Sequence, residues 1–141
     1  MQFPIRVLTG AAALIAVSTL GPAIAQATPP DFVQFRTPSG NIGCTVSATT
    51  AACEISQHDY ATPPRPENCH LQYGDRLVLE NTGVVDFHCH GDRLVESTAA
   101  VLDYGTNVTV GGLTCLSTTD YVECAGAGHS FRLSRQAYTI D

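Results

Sequence analysis

The chain has 141 residues, which suits one domain with a hydrophobic core. Seven basic residues, all arginines, are outnumbered by thirteen carboxylates, for a net charge of −6. Because nucleic-acid binding neutralises phosphates, and adhesion to anionic lipid needs positive charge, this balance argues against both. Divalent cations and basic partners are compatible with it.

Residues 1–27 have the pattern of a secretory signal peptide. Arg6 supplies a positive start, small and apolar residues follow, and alternating alanines predict cleavage after Ala25 or Ala27. A membrane anchor is the alternative, but Gly21 and Pro22 interrupt the run, and no later segment could span a bilayer. We therefore expect a secreted or cell-envelope protein, with a mature net charge near −7 once Arg6 is removed.

Residues 28–34 are predicted to be a short linker, and residues 35–141 a single secreted β domain. The linker begins with Thr-Pro-Pro, which favours an extended backbone. Phe32, Val33 and Phe35 predict the first buried strand, and the sequence TPSGN at 37–41 predicts a turn after it.

Two segments with matching cysteine spacing, 40–55 and 111–126, each predict an antiparallel hairpin. The spacing would place Cys44 opposite Cys53, and Cys115 opposite Cys124. Facing residues of an antiparallel pair are close enough for a disulfide. We therefore expect each hairpin to be closed by its own bridge.

The middle of the chain predicts a further hairpin, with an apolar strand at 77–79 and a second strand at 84–90. Cys69 and Cys89 would tie the loop before this hairpin to its second strand. Six cysteines allow fifteen pairings, and an even number in a short exported chain is typical of a disulfide framework. The best helix candidate is 92–102, and no long window has helical periodicity. We predict an all-β, disulfide-stapled antiparallel domain, a sandwich or partly open barrel with little or no helix.

The sequence FHCHGD at 87–92 is a candidate metal site. Alternation in a strand would place Asp86, His88 and His90 on one face, and a Cys69–Cys89 bridge would bring His70 near. Imidazole nitrogens with a carboxylate suit Zn²⁺ or Cu²⁺. The other interpretation is that these side chains form the solvated face of a half-buried strand. The cysteines are not counted as ligands, because exported thiols are normally oxidised.

No catalytic motif is recognisable. His129 precedes Ser130, but adjacent strand residues point to opposite faces, so another base such as His58 would be needed. The nucleophile elbow, phosphate-binding loop and dinucleotide fingerprint do not occur in the sequence. We predict that the protein is not an enzyme and holds no cofactor.

Several stretches together resemble a family of small exported actinobacterial proteins, many of them mycobacterial, classed as a domain of unknown function. They are FRTPSGNIGC, CHLQYGDRLVLENTGVVDFHCHGD and LDYGTNVTVGGLTCLSTTDYVECAGAGHSFRLSRQAY, which together span roughly residues 35–138. The family shares a TPSGNI-x-C start, a Tyr-Gly dipeptide, a Cys-x8-Cys pair and an ending that resembles GHGF-x-LSR. Here the ending has GHSF where a second glycine is frequent, and His90 interrupts the central Cys-Gly-Asp. The resemblance implies export and a cysteine framework, with no known activity.

We expect a non-enzymatic, disulfide-stabilised module that binds an unknown partner in the cell envelope or outside the cell. A Zn or Cu protein using His88 and His90 is the alternative, and a small secreted hydrolase or an inhibitor is the further one. Four tyrosines could form an aromatic binding face or the edges of the core: Tyr73, Tyr104, Tyr121 and Tyr138.

Overall fold

A computed structural model describes residues 20–25 and 27–141, and residues 1–19 of the predicted signal peptide lie outside them. The described residues form ten β-strands and no helix, so they include no helix capable of crossing a membrane. The strands are β1 (Phe32–Arg36), β2 (Ile42–Ser47), β3 (Thr50–Ile55), β4 (Arg76–Glu80), β5 (Val85–Phe87), β6 (Asn107–Val110), β7 (Leu113–Ser117), β8 (Val122–Gly126), β9 (His129–Leu133) and β10 (Tyr138–Ile140).

Each sheet is an antiparallel meander of five strands. The first has the order β1-β2-β3-β4-β5 and the second β10-β9-β8-β7-β6, so neighbours in space are neighbours in the chain. Short connections between consecutive strands favour this order. The two sheets pack face to face around one core. The all-β prediction is confirmed, and of its two architectures the structure is the sandwich.

Alternation along the strands places the apolar side chains between the sheets. Leu77 and Leu79 of β4 are fully buried, and they share the core with Phe131 and Leu133 of β9 in the opposite sheet. Burying each such side chain contributes about 1.5–3 kcal/mol relative to leaving it exposed. The contact between the two layers is therefore a main source of stability.

Three disulfides join the pairs expected from the sequence: Cys44–Cys53, Cys69–Cys89 and Cys115–Cys124. The first and third each link two neighbouring strands within the core, with a Cα–Cα distance of 4.1 Å. Cys53 Sγ lies 3.5 Å from Cys124 Sγ, so these two bridges touch where the sheets meet. The Cys69–Cys89 bridge instead ties the β3–β4 connection to the chain that follows β5.

The first strand begins earlier than the predicted domain boundary. Residues 32–34, assigned above to the linker, belong to β1. Phe35 is buried and Val33 half-buried, but Phe32 is 53% exposed. Phe32 precedes Val33 by one position and Phe35 by three, and residues at odd offsets along a strand point to opposite faces, so the Phe32 side chain is directed away from the core.

The strand predicted at 84–90 is shorter, because β5 ends at Phe87. The His88 N–H still donates to Arg76 O, but His90 then exchanges backbone hydrogen bonds with Gln72 in the β3–β4 connection. The chain thus leaves the sheet edge immediately after β5, and residues 88 and 90 do not continue its alternation.

The best helix candidate, 92–102, is a loop held on the outer face of the first sheet. Val95 is buried there against Gly43, where an added Cβ would lie 2.9 Å from Val95 Cβ. Val101 continues the loop with a parallel bridge to Arg36 of β1. Packing against the sheet therefore overrides the weak helical tendency of this segment.

The two ends of the sandwich differ in the length of their connections. Short turns at 48–49, 81–84, 111–112 and 127–128 close the short-turn end. The opposite, long-loop end gathers the connections 37–41, 56–75, 88–106, 118–121 and 134–137. In an antiparallel meander successive connections alternate between ends, so both long connections lie together.

Candidate functional site

Surface clefts lie at the long-loop end. Four of them, with volumes of about 240, 200, 310 and 260 Å³, are each lined by the long-loop connections or by the strand ends next to them. Loops held by a rigid scaffold are where binding residues concentrate in proteins. This end is therefore the candidate site.

The first cleft, of about 240 Å³, lies between segments 37–42, 118–122 and 134–136, with Tyr104 at its side. Most of its lining side chains carry hydroxyl or amide groups. Its two aliphatic lining residues, Ile42 and Val122, are buried. We name this site the hydroxyl cleft, and its surface is polar rather than apolar.

Part of the polar lining holds the turns in place. Thr118 Oγ1 accepts the N–H groups of Asp120 and Tyr121, at 3.2 and 3.0 Å, and donates to Tyr121 O at 2.8 Å. Ser134 Oγ likewise accepts a hydrogen bond from the Ala137 N–H and donates one to Ala137 O. Such side chain-to-backbone bonds stabilise turns, so the walls of the cleft are fixed by local sequence.

Other polar groups of the hydroxyl cleft have no partner. Within the part of the chain that the structure describes, five lining residues make no side-chain hydrogen bond: Tyr104, Thr119, Asp120, Tyr121 and Gln136. The Arg132 guanidinium covers one face of the Tyr121 ring, 4.5 Å from its centroid. Arg132 is paired with Glu123, whose carboxylate raises the pKa of Arg132. The cleft therefore has unused donors and acceptors on an ordered frame.

A second feature of this end is the His90 network, which consists of Glu54, Asp75, Arg76, His90 and Asp92. Arg76 Nε donates to Glu54 Oε2 at 2.8 Å, and Arg76 Nη2 donates to Asp92 O at 2.7 Å. His90 Nδ1 lies 2.8 Å from Asp92 O, and Nε2 lies 2.8 Å from Asp75 Oδ1. Both partner atoms are acceptors, so each of these contacts is a hydrogen bond when its own ring nitrogen carries a proton. The network thus anchors the 88–106 connection to the ends of β3 and β4.

The predicted metal ligands lie in different surroundings. Asp86, His88 and His70 are exposed, whereas His90 is buried with both ring nitrogens hydrogen-bonded. Among the described residues, one group of three or more potential ligands has its ligand atoms within 4.8 Å of one another, and it consists of disulfide cysteines: Cys53, Cys115 and Cys124. The metal site stays a prediction. Native mass spectrometry of the oxidised protein, and of a His88→Ala/His90→Ala variant, would test it.

The residues considered for nucleophilic catalysis lie at opposite ends of the sandwich. His129 and Ser130 follow the 127–128 turn at the short-turn end, and His129 Nδ1 lies 3.2 Å from Asp141 O. His58 is in the β3–β4 connection at the long-loop end, where it stacks on Tyr60 at 3.8 Å. His58 therefore does not approach Ser130.

The four tyrosines divide between two places. Tyr104 and Tyr121 line the hydroxyl cleft, whereas Tyr73 and Tyr138 each pack against Phe87. Tyr138 also makes an edge-to-face contact with Tyr60. An aromatic cluster thus joins the β3–β4 connection to the open edges of the two sheets.

Tyr60 is a half-buried, hydrogen-bonded member of this cluster. Its hydroxyl donates to Gly74 O at 2.9 Å. Burial is the main cause that raises its pKa, and the charges of Asp75 and Tyr138 raise it further. The phenol therefore remains neutral and acts as a structural hydrogen-bond donor.

The sequence interpretation missed both the hydroxyl cleft and most of the His90 network. Glu54 and Arg76 could have been paired, because they flank the core residues Cys53 and Leu77 on facing strands. No local pattern marks the hydroxyl cleft, since its turns are far apart in the chain.

The comparisons with known proteins agree with the resemblance and add no activity. No curated protein matches the chain, and no solved structure does. A family model, described as Family of unknown function (DUF6636), matches residues 13–140. All ten strands of the β-sandwich lie inside that match, so the chain belongs to this family of unknown function.

Proposed function

We propose that the protein is an exported, non-enzymatic binding module whose partner, in the cell envelope or outside the cell, docks at the long-loop end. One observation carries the proposal: the long connections and the clefts converge at one end of the sandwich, whereas short turns close the other. Loops on a rigid β-sandwich form binding surfaces in many unrelated proteins.

The disulfides support this assignment in two ways. Three bridges among six cysteines are consistent with an oxidising, extracytoplasmic compartment. The Cys69–Cys89 bridge joins the two longest connections of the described chain, 56–75 and 88–106. Loops restrained before binding lose less conformational entropy when a partner docks, which favours affinity.

Site-specific photocrosslinking in the cells that produce the protein would test this function. A photoreactive phenylalanine analogue replaces Thr119 or Ser97 at the long-loop end, and Thr49 or Thr82 at the short-turn end. All four positions are exposed. We expect crosslinked species from the first pair alone. Equal crosslinking at both ends, or none at either, would contradict the proposal.

A small hydrolase is the second candidate, because His58 and Asp75 line the same cleft of about 310 Å³. A histidine near a carboxylate is a common general base. Assays with p-nitrophenyl acetate, casein and p-nitrophenyl glycosides separate the two functions. The binding module predicts no turnover above buffer, and turnover that His58→Ala abolishes would replace it.

A further inference from the structure

We propose that the hydroxyl cleft is a carbohydrate site that accepts a neutral sugar unit. This inference rests on the proposed binding function and assigns a chemical class to the ligand. The cleft, about 240 Å³ in volume, combines hydroxyl, amide and carboxylate groups with two tyrosines.

The unpartnered groups of the cleft match the hydrogen-bonding needs of a sugar. Each sugar hydroxyl both donates and accepts. The Asp120 carboxylate accepts only, whereas the Gln136 amide and the Thr119 hydroxyl do both. Within the described residues these three side chains make no internal hydrogen bond, so a ligand would displace water and break no protein contact.

The frame that carries these groups is ordered in advance. Thr118 pins the turn that presents Thr119 and Asp120, and Ser134 pins the turn that presents Gln136. Groups held in position by local hydrogen bonds lose little entropy on binding. This matters for a sugar, because each of its polar contacts replaces an almost equally good contact with water.

Tyr104 provides an apolar surface for the ring of the sugar. It is 40% exposed and lies at the side of the cleft. One face of Tyr121 is already covered by Arg132. A sugar ring has an apolar C–H face beside its hydroxyls, and tyrosine has an apolar face beside a polar tip, so the two are complementary.

Charge and polarity exclude the other main ligand classes. The Asp120 carboxylate and the acidic chain repel phosphates and uronic acids. Arg135 is also in the lining, where its positive charge is balanced by the Asp120 carboxylate, and its guanidinium donates one hydrogen bond to Gln57 Oε1 at 3.1 Å. Lipids and aromatic ligands need an apolar lining, but Ile42 and Val122 are buried beneath the polar groups.

Isothermal titration and saturation-transfer NMR with glucose, galactose, mannose and their linear oligosaccharides would test the assignment. We expect at least one neutral sugar to bind. Asp120→Ala and Gln136→Ala should each weaken its affinity about tenfold, the loss of one hydrogen bond of about 1.4 kcal/mol. Thr82→Ala at the short-turn end is the matched control and should leave affinity unchanged. Glucose 6-phosphate and glucuronate should bind more weakly than glucose.

The outcomes separate this inference from the proposed function. No binding by any sugar of the panel, or affinity unchanged in both cleft variants, would overturn the carbohydrate site. If photocrosslinks still form at the long-loop end, the binding module then stands without it. If crosslinks also fail, the proposed function fails with it. Circular dichroism of each variant verifies that the fold is intact.

Discussion

His88 and His90 are separated by one residue, yet the fold gives them different roles. His88 is exposed, whereas the His90 side chain is 3% exposed and bonds to both Asp75 and Asp92. The difference arises because the strand ends at Phe87, and the chain then turns towards the His90 network. Two residues at positions i and i+2 therefore do not share an environment when the strand ends between them and the preceding residues.

Replacing His90 by Ala should lower the free energy of unfolding by about 2 kcal/mol, because a hydrogen bond to a carboxylate is lost in a nearly buried site. His88→Ala is the matched control and should change stability by less than about 0.5 kcal/mol. Urea unfolding followed by circular dichroism measures both. Equal effects of the two substitutions would contradict this account of the His90 network.

Tyr60 should make the protein less stable at high pH. Its pKa is raised in the folded state, mainly by burial, whereas in the unfolded chain it is about 10. Above that pH the unfolded state loses the proton first, so stability falls as pH rises through this window. Tyr60→Phe should cost about 1 kcal/mol at neutral pH but show a shallower decline above pH ~10. A parallel decline in both proteins would exclude this role.

Ser117 is a buried hydroxyl with no hydrogen-bond partner among the described residues. Because burying an unpaired hydroxyl is unfavourable, Ser117→Ala should increase the free energy of unfolding, by up to about 1 kcal/mol. Ser134→Ala is the contrasting control, since it removes two turn hydrogen bonds and should destabilise. A clear loss of stability in Ser117→Ala would mean that the hydroxyl has a partner in solution.

At the scale of elements, the three disulfides differ in what they join: two link neighbouring strands, and the third links two loops. Two lie in the core and touch each other, so they hold hairpins whose register the strands already define. The Cys69–Cys89 bridge restrains two loops with little regular structure. Since it lies outside both sheets, its loss should act locally.

Replacing Cys69 and Cys89 together by Ser should loosen residues 56–75 and 88–106 and leave the sandwich folded. Hydrogen exchange should show faster exchange in these connections and unchanged protection in β3 and β8. The matched variant, with Cys115 and Cys124 replaced by Ala, should destabilise the whole domain by about 2–4 kcal/mol. Uniform loss of protection in the first variant would contradict this division.

At the scale of the molecule, a small core is combined with a covalent framework. A domain of this size is stabilised by only about 5–15 kcal/mol in total, and each of the two core bridges contributes about 2–4 kcal/mol. The long connections lie outside the two sheets, so the proposed binding end is separate from the strands that form the core.

Full reduction should therefore lower the melting temperature steeply or unfold the chain. Calorimetry with and without a strong reductant would measure the change in melting temperature. Alkylation followed by mass spectrometry would count the free thiols in each sample. At partial reduction, while the sandwich is still folded, alkylation should reach Cys89 first, because Cys89 is exposed while the core cysteines are buried. An unchanged melting temperature in fully reduced protein would refute the contribution of the bridges.

Much of the fold could be predicted from local patterns. The spacing of Cys44 and Cys53 predicted that the two residues face each other, and the hairpin has that register, with Val46 opposite Ala51. Hairpin partners are close in the chain, so alternation and turn residues are sufficient to specify them. The all-β class follows from the same signals repeated along the chain.

The tertiary structure decided the site. The turns at 37–41 and 134–137 form one cleft although almost a hundred residues separate them, because two sheets pack face to face. The burial of His90 and the early end of β5 depend on the backbone pairing of His90 with Gln72, which belongs to the distant 56–75 connection. Local sequence specifies each hairpin, whereas the positions of distant loops depend on packing energies summed over the whole core, which no short motif encodes.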